Sequence, residues 1–176
     1  MDCIVAWLLP MTDNLDTSLG EEMSVELTIR TADQSDLPSL LELYKQLHSN
    51  DEIVSLEAAG KILVQLLRYA GSTIFLGLRD DIIVATCTLI VVPNLTRGGA
   101  PYALIENVVT DAQHRKQGYG KQILKAAVSS AWHHDCYKVM LLTGSRDPAT
   151  LSFYEEAGFE QSKTGFQARR IPPRKG

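Results

Sequence analysis

A run of apolar and β-branched residues from Tyr102 to Thr110 feeds into a polar loop, and Gly118 and Gly120 then open an amphipathic helix. This junction constrains the chain more than any other feature. The helix face reads Ile123, Leu124, Ala127, Val128, Ala131 and Trp132, a spacing near the helical period that needs a sheet to cover it. Tyr137 to Thr143 follows as a continuous apolar run, the pattern of a strand buried on both faces. Asp147-Pro148 then reads as an N-cap followed by proline at the first helical position, and Gly158 as the residue that ends that helix.

Upstream of the junction, Val25 to Thr31 alternates as a first strand. Ser35 and Asp36 open a helix carrying Leu37, Leu40, Leu41, Tyr44 and Leu47 on one face. A second helix starts near Leu56, with Ala59, Leu63, Leu66, Leu67 and Ala70 at helical spacing. Ser72 to Arg79 and Ile82 to Val92 are separated only by Asp80 and Asp81, which predicts an antiparallel hairpin. Pro93, Asn94, Gly98, Gly99 and Pro101 mark a loop, and Phe159 with the segment Thr164 to Ile171 supplies candidate closing strands. The expected fold is α/β (mixed α+β), with antiparallel strands leading into a strand-helix-strand-helix unit.

The chain has 176 residues, enough for one sizeable core and too few for two independent domains. Residues 23–171 are expected to form that domain, with 1–22 as an appended, possible flexible leader and 172–176 as a tail. The apolar stretch Cys3 to Leu9 is too short to span a bilayer and follows Asp2, so neither an anchor nor a signal peptide is expected. A formal net charge of -4 argues against binding to a nucleic-acid backbone. The basic tail Arg169, Arg170, Arg174 and Lys175 reads as a solvated end. Cys3, Cys87 and Cys136 lie far apart, without the ligand spacing of a zinc site, and fit a reducing cytoplasm. His133-His134-Asp135 falls at a helix C-terminus, where imidazole is at home, and no metal is expected there.

The loop itself suits an anion. A helix N-terminus carries unpaired N–H groups and a partial positive charge, and glycine lets a ligand approach the backbone. His114, Arg115, Lys116, Gln117, Gly118, Tyr119, Gly120 and Lys121 add cationic side chains to that arrangement. A Walker loop would need glycine at position 115 and Ser or Thr at position 122, where the chain has Arg115 and Gln122. A dinucleotide fingerprint would need a small residue in place of Ile123.

Arg115-Lys116-Gln117-Gly118-Tyr119-Gly120 instead resembles the Arg-x-x-Gly-x-Gly acyl-CoA signature of the GNAT superfamily of N-acetyltransferases. The preceding strand Ile105 to Thr110 and the downstream Phe153-Tyr154-Glu155-Glu156-Ala157-Gly158-Phe159 are similar to that superfamily too. The resemblance implies a central, mostly antiparallel mixed sheet flanked by helices, with acetyl-CoA as cosubstrate and no metal. It also implies that Val108, Val109 and Thr110 bind the pantetheine amides through their backbone, while their side chains pack in the core.

Acetyl transfer to an amine needs a free lone pair on nitrogen and a proton for the departing thiolate. Tyr154 holds the position of the superfamily's tyrosine acid, although a core-facing aromatic is its other reading. Glu106 is the candidate base, expected by simple alternation to share a face with Val108 and Thr110. Its segment resembles that of glucosamine-6-phosphate N-acetyltransferases, and its other reading is a carboxylate that holds a loop or an arginine. Asp147 replaces an asparagine frequent in the superfamily, which leaves N-capping as its expected task, and Arg146 is a candidate to face substrate. The expected reaction is direct acetylation of a primary amine on a small molecule such as an amino sugar or polyamine. Protein lysines or N-termini, and a non-catalytic acyl-CoA sensor, are the alternatives. The sequence leaves the oligomeric state open, although homodimers are frequent in the superfamily it resembles.

Overall fold

The computed structural model describes residues 27–47 and 54–170. The leader 1–22, Val25, Glu26, Cys3, Ile171 and the tail 172–176 lie outside the described residues. Among the described residues five strands form one sheet in chain order: β1 (Thr28–Thr31), β2 (Thr73–Arg79), β3 (Ile82–Val92), β4 (Tyr102–Thr110) and β5 (Val139–Leu141). All neighbours are antiparallel except β4 and β5, which are parallel. Helices α1 (Leu37–Tyr44) and α2 (Leu56–Leu66) precede β2, α3 (Tyr119–His133) links β4 to β5, and α4 (Pro148–Glu156) follows. The mixed, mostly antiparallel sheet flanked by helices is as expected from the sequence.

Two apolar clusters hold the layers together. On one face Ile74, Leu76 and Leu78 of β2 pack with Leu37, Leu40, Ala59 and Leu63 of α1 and α2. On the other, Cys87, Leu89 and Ile105 pack with Ile123, Leu124, Ala127 and Ala131 of α3. This is the α3 stripe read from the sequence, except that Trp132 is half exposed and lies off it. In the hairpin Arg79 pairs with Ile82, and both Asp80 and Asp81 have positive φ, as a tight two-residue turn between twisted strands requires.

Three expectations are corrected. Helix α2 stops at Leu66, and Leu67 and Ala70 lie in the exposed turn beyond it. Strand β5 is only three residues long and half-buried, because among the described residues it pairs on one edge alone. Phe159 and residues 164–170 form no strand; every residue from 160 to 170 is exposed.

Asp36 fastens β1 to the start of α1. Its carboxylate takes two hydrogen bonds of 2.6 Å from the Arg30 guanidinium and one of 2.9 Å from the Asp33 N–H. The Arg30 bond holds its pKa below the ordinary value of 3.8, against an opposing effect of burial. A carboxylate acidified by folding contributes stability above its unfolded pKa and loses it as pH falls through the folded value. Urea titrations from pH 7 down through the acid range are therefore expected to show this contribution start to fall near the ordinary carboxylate pKa of about 4 and vanish only below the lower folded value. Asp36→Asn should be less stable at pH 7 yet lose less than wild type over the same interval.

Candidate active site

The end of β4, the following loop and the start of α3 meet α4 in a cleft of about 620 Å³. Each segment arrives for a local reason. Strand β4 pairs with β5 only from Ala103 to Ile105, so beyond that point its outer edge has no strand partner among the described residues. Backbone donors and acceptors from 106 to 110 thus face the gap on that side. A larger groove of about 740 Å³ between α1 and α2 contains none of the anion-loop residues, so size alone does not mark the site.

The loop turns into α3 at Gly118, whose φ of 79° is a left-handed conformation that suits glycine. Among the described residues no side chain caps this helix start, which leaves its leading N–H groups for an anion. At Gly120 the requirement is space. A Cβ there would lie 3.0 Å from ring atoms of Phe153 and 3.2 Å from the Thr110 hydroxyl, so this glycine is where β4, α3 and α4 touch.

Of the sequence-derived site residues, Val108, Val109, Thr110, His114, Arg115, Lys116, Gly118, Tyr119, Gly120, Lys121 and Tyr154 all line the cleft. Gln117 and Glu106 do not. Arg115 turns back on the strand, its Nε donating to the Thr110 carbonyl at 3.2 Å. Lys121 donates to Glu156 of α4 at 2.8 Å, an exposed pair that joins two residues of the cleft lining. Gln117 accepts a 3.1 Å bond from Arg79 outside the cleft.

Tyr154 is half-buried, with Phe153 edge-on at 4.9 Å between ring centroids and Phe159 at 6.4 Å. Its ring packs on the core cluster while the residue borders the cleft. Burial, and secondarily the negative charge of Glu106, raise the phenol above its ordinary pKa of 10. It therefore keeps its proton at neutral pH.

The expectation that Glu106 shares a face with Val108 and Thr110 is corrected. Thr88 pairs with Glu106 and Thr86 with Val109, so Cys87 alone stands opposite both Asn107 and Val108. This is a β-bulge, with Asn107 at φ 53° as the extra residue. Directly paired side chains share a face. Glu106, which is exposed, thus shares the face of Thr88 and Val109, whereas Thr110 pairs with Ala85 on the α3 face. On the Glu106 face the Thr88 hydroxyl lies 3.5 Å from both the Tyr44 hydroxyl and the Asn107 amide.

Sequence reasoning missed several neighbours of the loop. Arg79 reaches Gln117 and, at 3.3 Å, the Tyr119 hydroxyl. Gln46 and Leu47, at the end of α1, border the cleft. Tyr44 and Leu47 were read only as members of an apolar stripe, and nothing in the local pattern singles out Gln46 or Arg79. Arg146 is exposed, and Asp147 caps α4 by accepting from the Ala149 N–H at 3.1 Å, the task expected of it. Among the described residues no group of three or more potential metal ligands gathers, and no helix is long and apolar enough to cross a membrane.

The model of the acetyltransferase (GNAT) family matches residues 37–159. A glucosamine 6-phosphate N-acetyltransferase of Trypanosoma brucei brucei is 33% identical over 137 residues, covering 77% of this chain and 90% of that protein. Among solved structures, an inferred acetyltransferase from Agrobacterium tumefaciens str. C58 superimposes with a TM-score of 0.77 at 48% identity, covering 81% of this chain and 99% of the other. The glucosamine-6-phosphate N-acetyltransferase from Arabidopsis thaliana, at 22% identity, shares the fold with a TM-score of 0.74 over 82% of this chain and 99% of that one.

Proposed function

The chain belongs to the acetyltransferase (GNAT) family, and from that premise we propose that it moves acetyl from acetyl-CoA directly to a primary amine of a small molecule, with amino sugars the first class to test. The observation that carries this reading is the cleft itself. It joins the uncapped start of α3, the unpaired end of β4 and Tyr154. These groups fit acetyl-CoA: N–H donors with Arg115 and Lys116 for the diphosphate, an open strand edge for the pantetheine amides, and a protonated phenol beyond it. The similarity to a protein named for glucosamine 6-phosphate supports an amino-sugar acceptor.

Bound acetyl-CoA supplies the reactive thioester. The chain must then manage two protons. An ordinary alkylamine with a pKa of about 10.4 is neutral in only about one molecule in a few thousand at pH 7, so a base must accept its proton. Glu106 does so in this reading, through water, since it lies outside the cleft lining. Tyr154 donates to the thiolate as the carbon–sulfur bond breaks and the carbon–nitrogen bond forms.

The remaining attributes belong to the same reading. Residues 23–171 act as one domain. Cys87 and Cys136 are free and buried, and burial pushes the Cys87 thiol up to about 12, which leaves it an inert core residue; a cytoplasmic location belongs to the same reading. A homodimer belongs to the same reading as a partner to be tested. Thiol release from acetyl-CoA, measured across a panel of amino sugars, polyamines and lysine peptides, tests the acceptor class. The highest kcat/KM is expected on an amino sugar. Turnover on peptides alone would replace the small-molecule reading with a protein-directed one, and tight CoA binding without release on any amine would favour a sensor.

A further inference from the structure

Gln46 lies in the turn that ends α1, 65 positions before Asp111, yet both ends of its side-chain amide are committed to the anion loop. Nε2 donates to Oδ2 of Asp111 at 2.6 Å, and Oε1 accepts from the Ala112 N–H at 2.8 Å. Asp111 is in turn the hub of the loop's first turn. Its Oδ1 accepts from the Gln113 N–H at 2.9 Å and lies 2.8 Å from Nδ1 of His114, while its own N–H is bound to the Val84 carbonyl at 2.8 Å. Asp111 therefore ties the loop to β3, and Gln46 ties Asp111 to α1.

We propose that Gln46 is a positioning residue that holds the diphosphate loop in its binding conformation. The inference rests on reading that loop as the seat of CoA. Between Asp111 and the helix start the chain passes through positive φ at Lys116 and again at Gly118, so its shape is not one that local preference maintains. A loop ordered before the ligand arrives costs less affinity than one that binding must order. The two-pronged amide supplies that order at the point where the loop leaves the sheet. Gln46 is exposed, so its replacement removes no core packing, and its effect should fall on cofactor affinity rather than on turnover or folding.

Calorimetry with CoA on the full chain, alongside steady-state kinetics and thermal melts, tests this with four variants. Gln46→Ala is expected to weaken CoA binding and raise KM for acetyl-CoA about five- to tenfold. Its kcat should stay within about twofold of wild type and its melting temperature within about 2 °C. Gln46→Glu should bind more weakly still, because it sets a second carboxylate against Oδ2 of Asp111. Asp111→Asn alone sets an amide nitrogen against the Gln46 donor and should also weaken binding. Combined, Gln46→Glu and Asp111→Asn exchange donor for acceptor, leave Oδ1 and the Ala112 contact in place, and should recover most of the affinity that each loses alone. Wild-type affinity in Gln46→Ala, or a double variant no better than Gln46→Glu, overturns the proposal while leaving the CoA reading standing. A wild-type protein that gives no heat with CoA removes both.

Discussion

Tyr154→Phe is expected to lower kcat for amine acetylation by about a hundredfold or more, while the Kd for CoA stays within about twofold of wild type. The variant deletes one oxygen and keeps the ring, so the edge-on contacts with Phe153 and Phe159 persist and the core cluster is not opened. What disappears is the phenol proton, which burial and then the nearby Glu106 charge hold to a pH above the ordinary value of 10. Single-turnover rates of thiol release with saturating acceptor, set beside a CoA titration, separate the two effects. A variant that turns over at the wild-type rate would reduce Tyr154 to a packing aromatic. Because the phenol of the folded protein titrates above its ordinary value of 10, the acid step should not fail anywhere between pH 6 and pH 9. Any basic limb in that range belongs to another group.

Gly120→Val should abolish measurable CoA binding and destabilise the fold by about 1–3 kcal/mol, the usual cost of overpacking. The added carbons meet the Phe153 ring at 3.0 Å and the Thr110 hydroxyl at 3.2 Å. Those neighbours belong to α4 and to the end of β4, so relief of the clash moves the cleft wall away from the loop and displaces Tyr154, adjacent to Phe153, with it. Gly120→Ala should give an intermediate result, because a half-buried ring can yield by a few tenths of an ångström. Thermal melts and calorimetry on both variants supply the check. A valine variant that binds CoA normally would show that the close approach of these three elements is incidental to the site. Gly118 offers the contrast: nothing lies within 4 Å of its missing Cβ, and only its positive φ resists substitution.

Much of the fold was legible before any coordinates. The Asp80-Asp81 turn, the full extent of β3 and β4, and the capped α4 behind Asp147-Pro148 all follow from adjacent residues, since turns, alternation and caps are set within a few positions of the chain. The α3 stripe was readable for the same reason, except Trp132, which turns off the covered face while Ala131 beside it stays buried. The C-terminal segment misled because residues 164–171 carry strand-like composition, and strand formation depends on a partner edge that composition does not supply.

The sequence by itself determined the order of strand, glycine loop and helix, and with it the anion-binding character of the loop, because that character resides in backbone groups and in side chains that are neighbours along the chain. Only the tertiary structure decided which face Glu106 occupies, that β5 is short enough to leave the end of β4 open, and that Gln46 and Arg79 reach the loop from elsewhere. The bulge at Asn107 breaks the two-residue alternation on which any strand reading rests, and contacts across many tens of residues arise from how the layers stack rather than from any local preference.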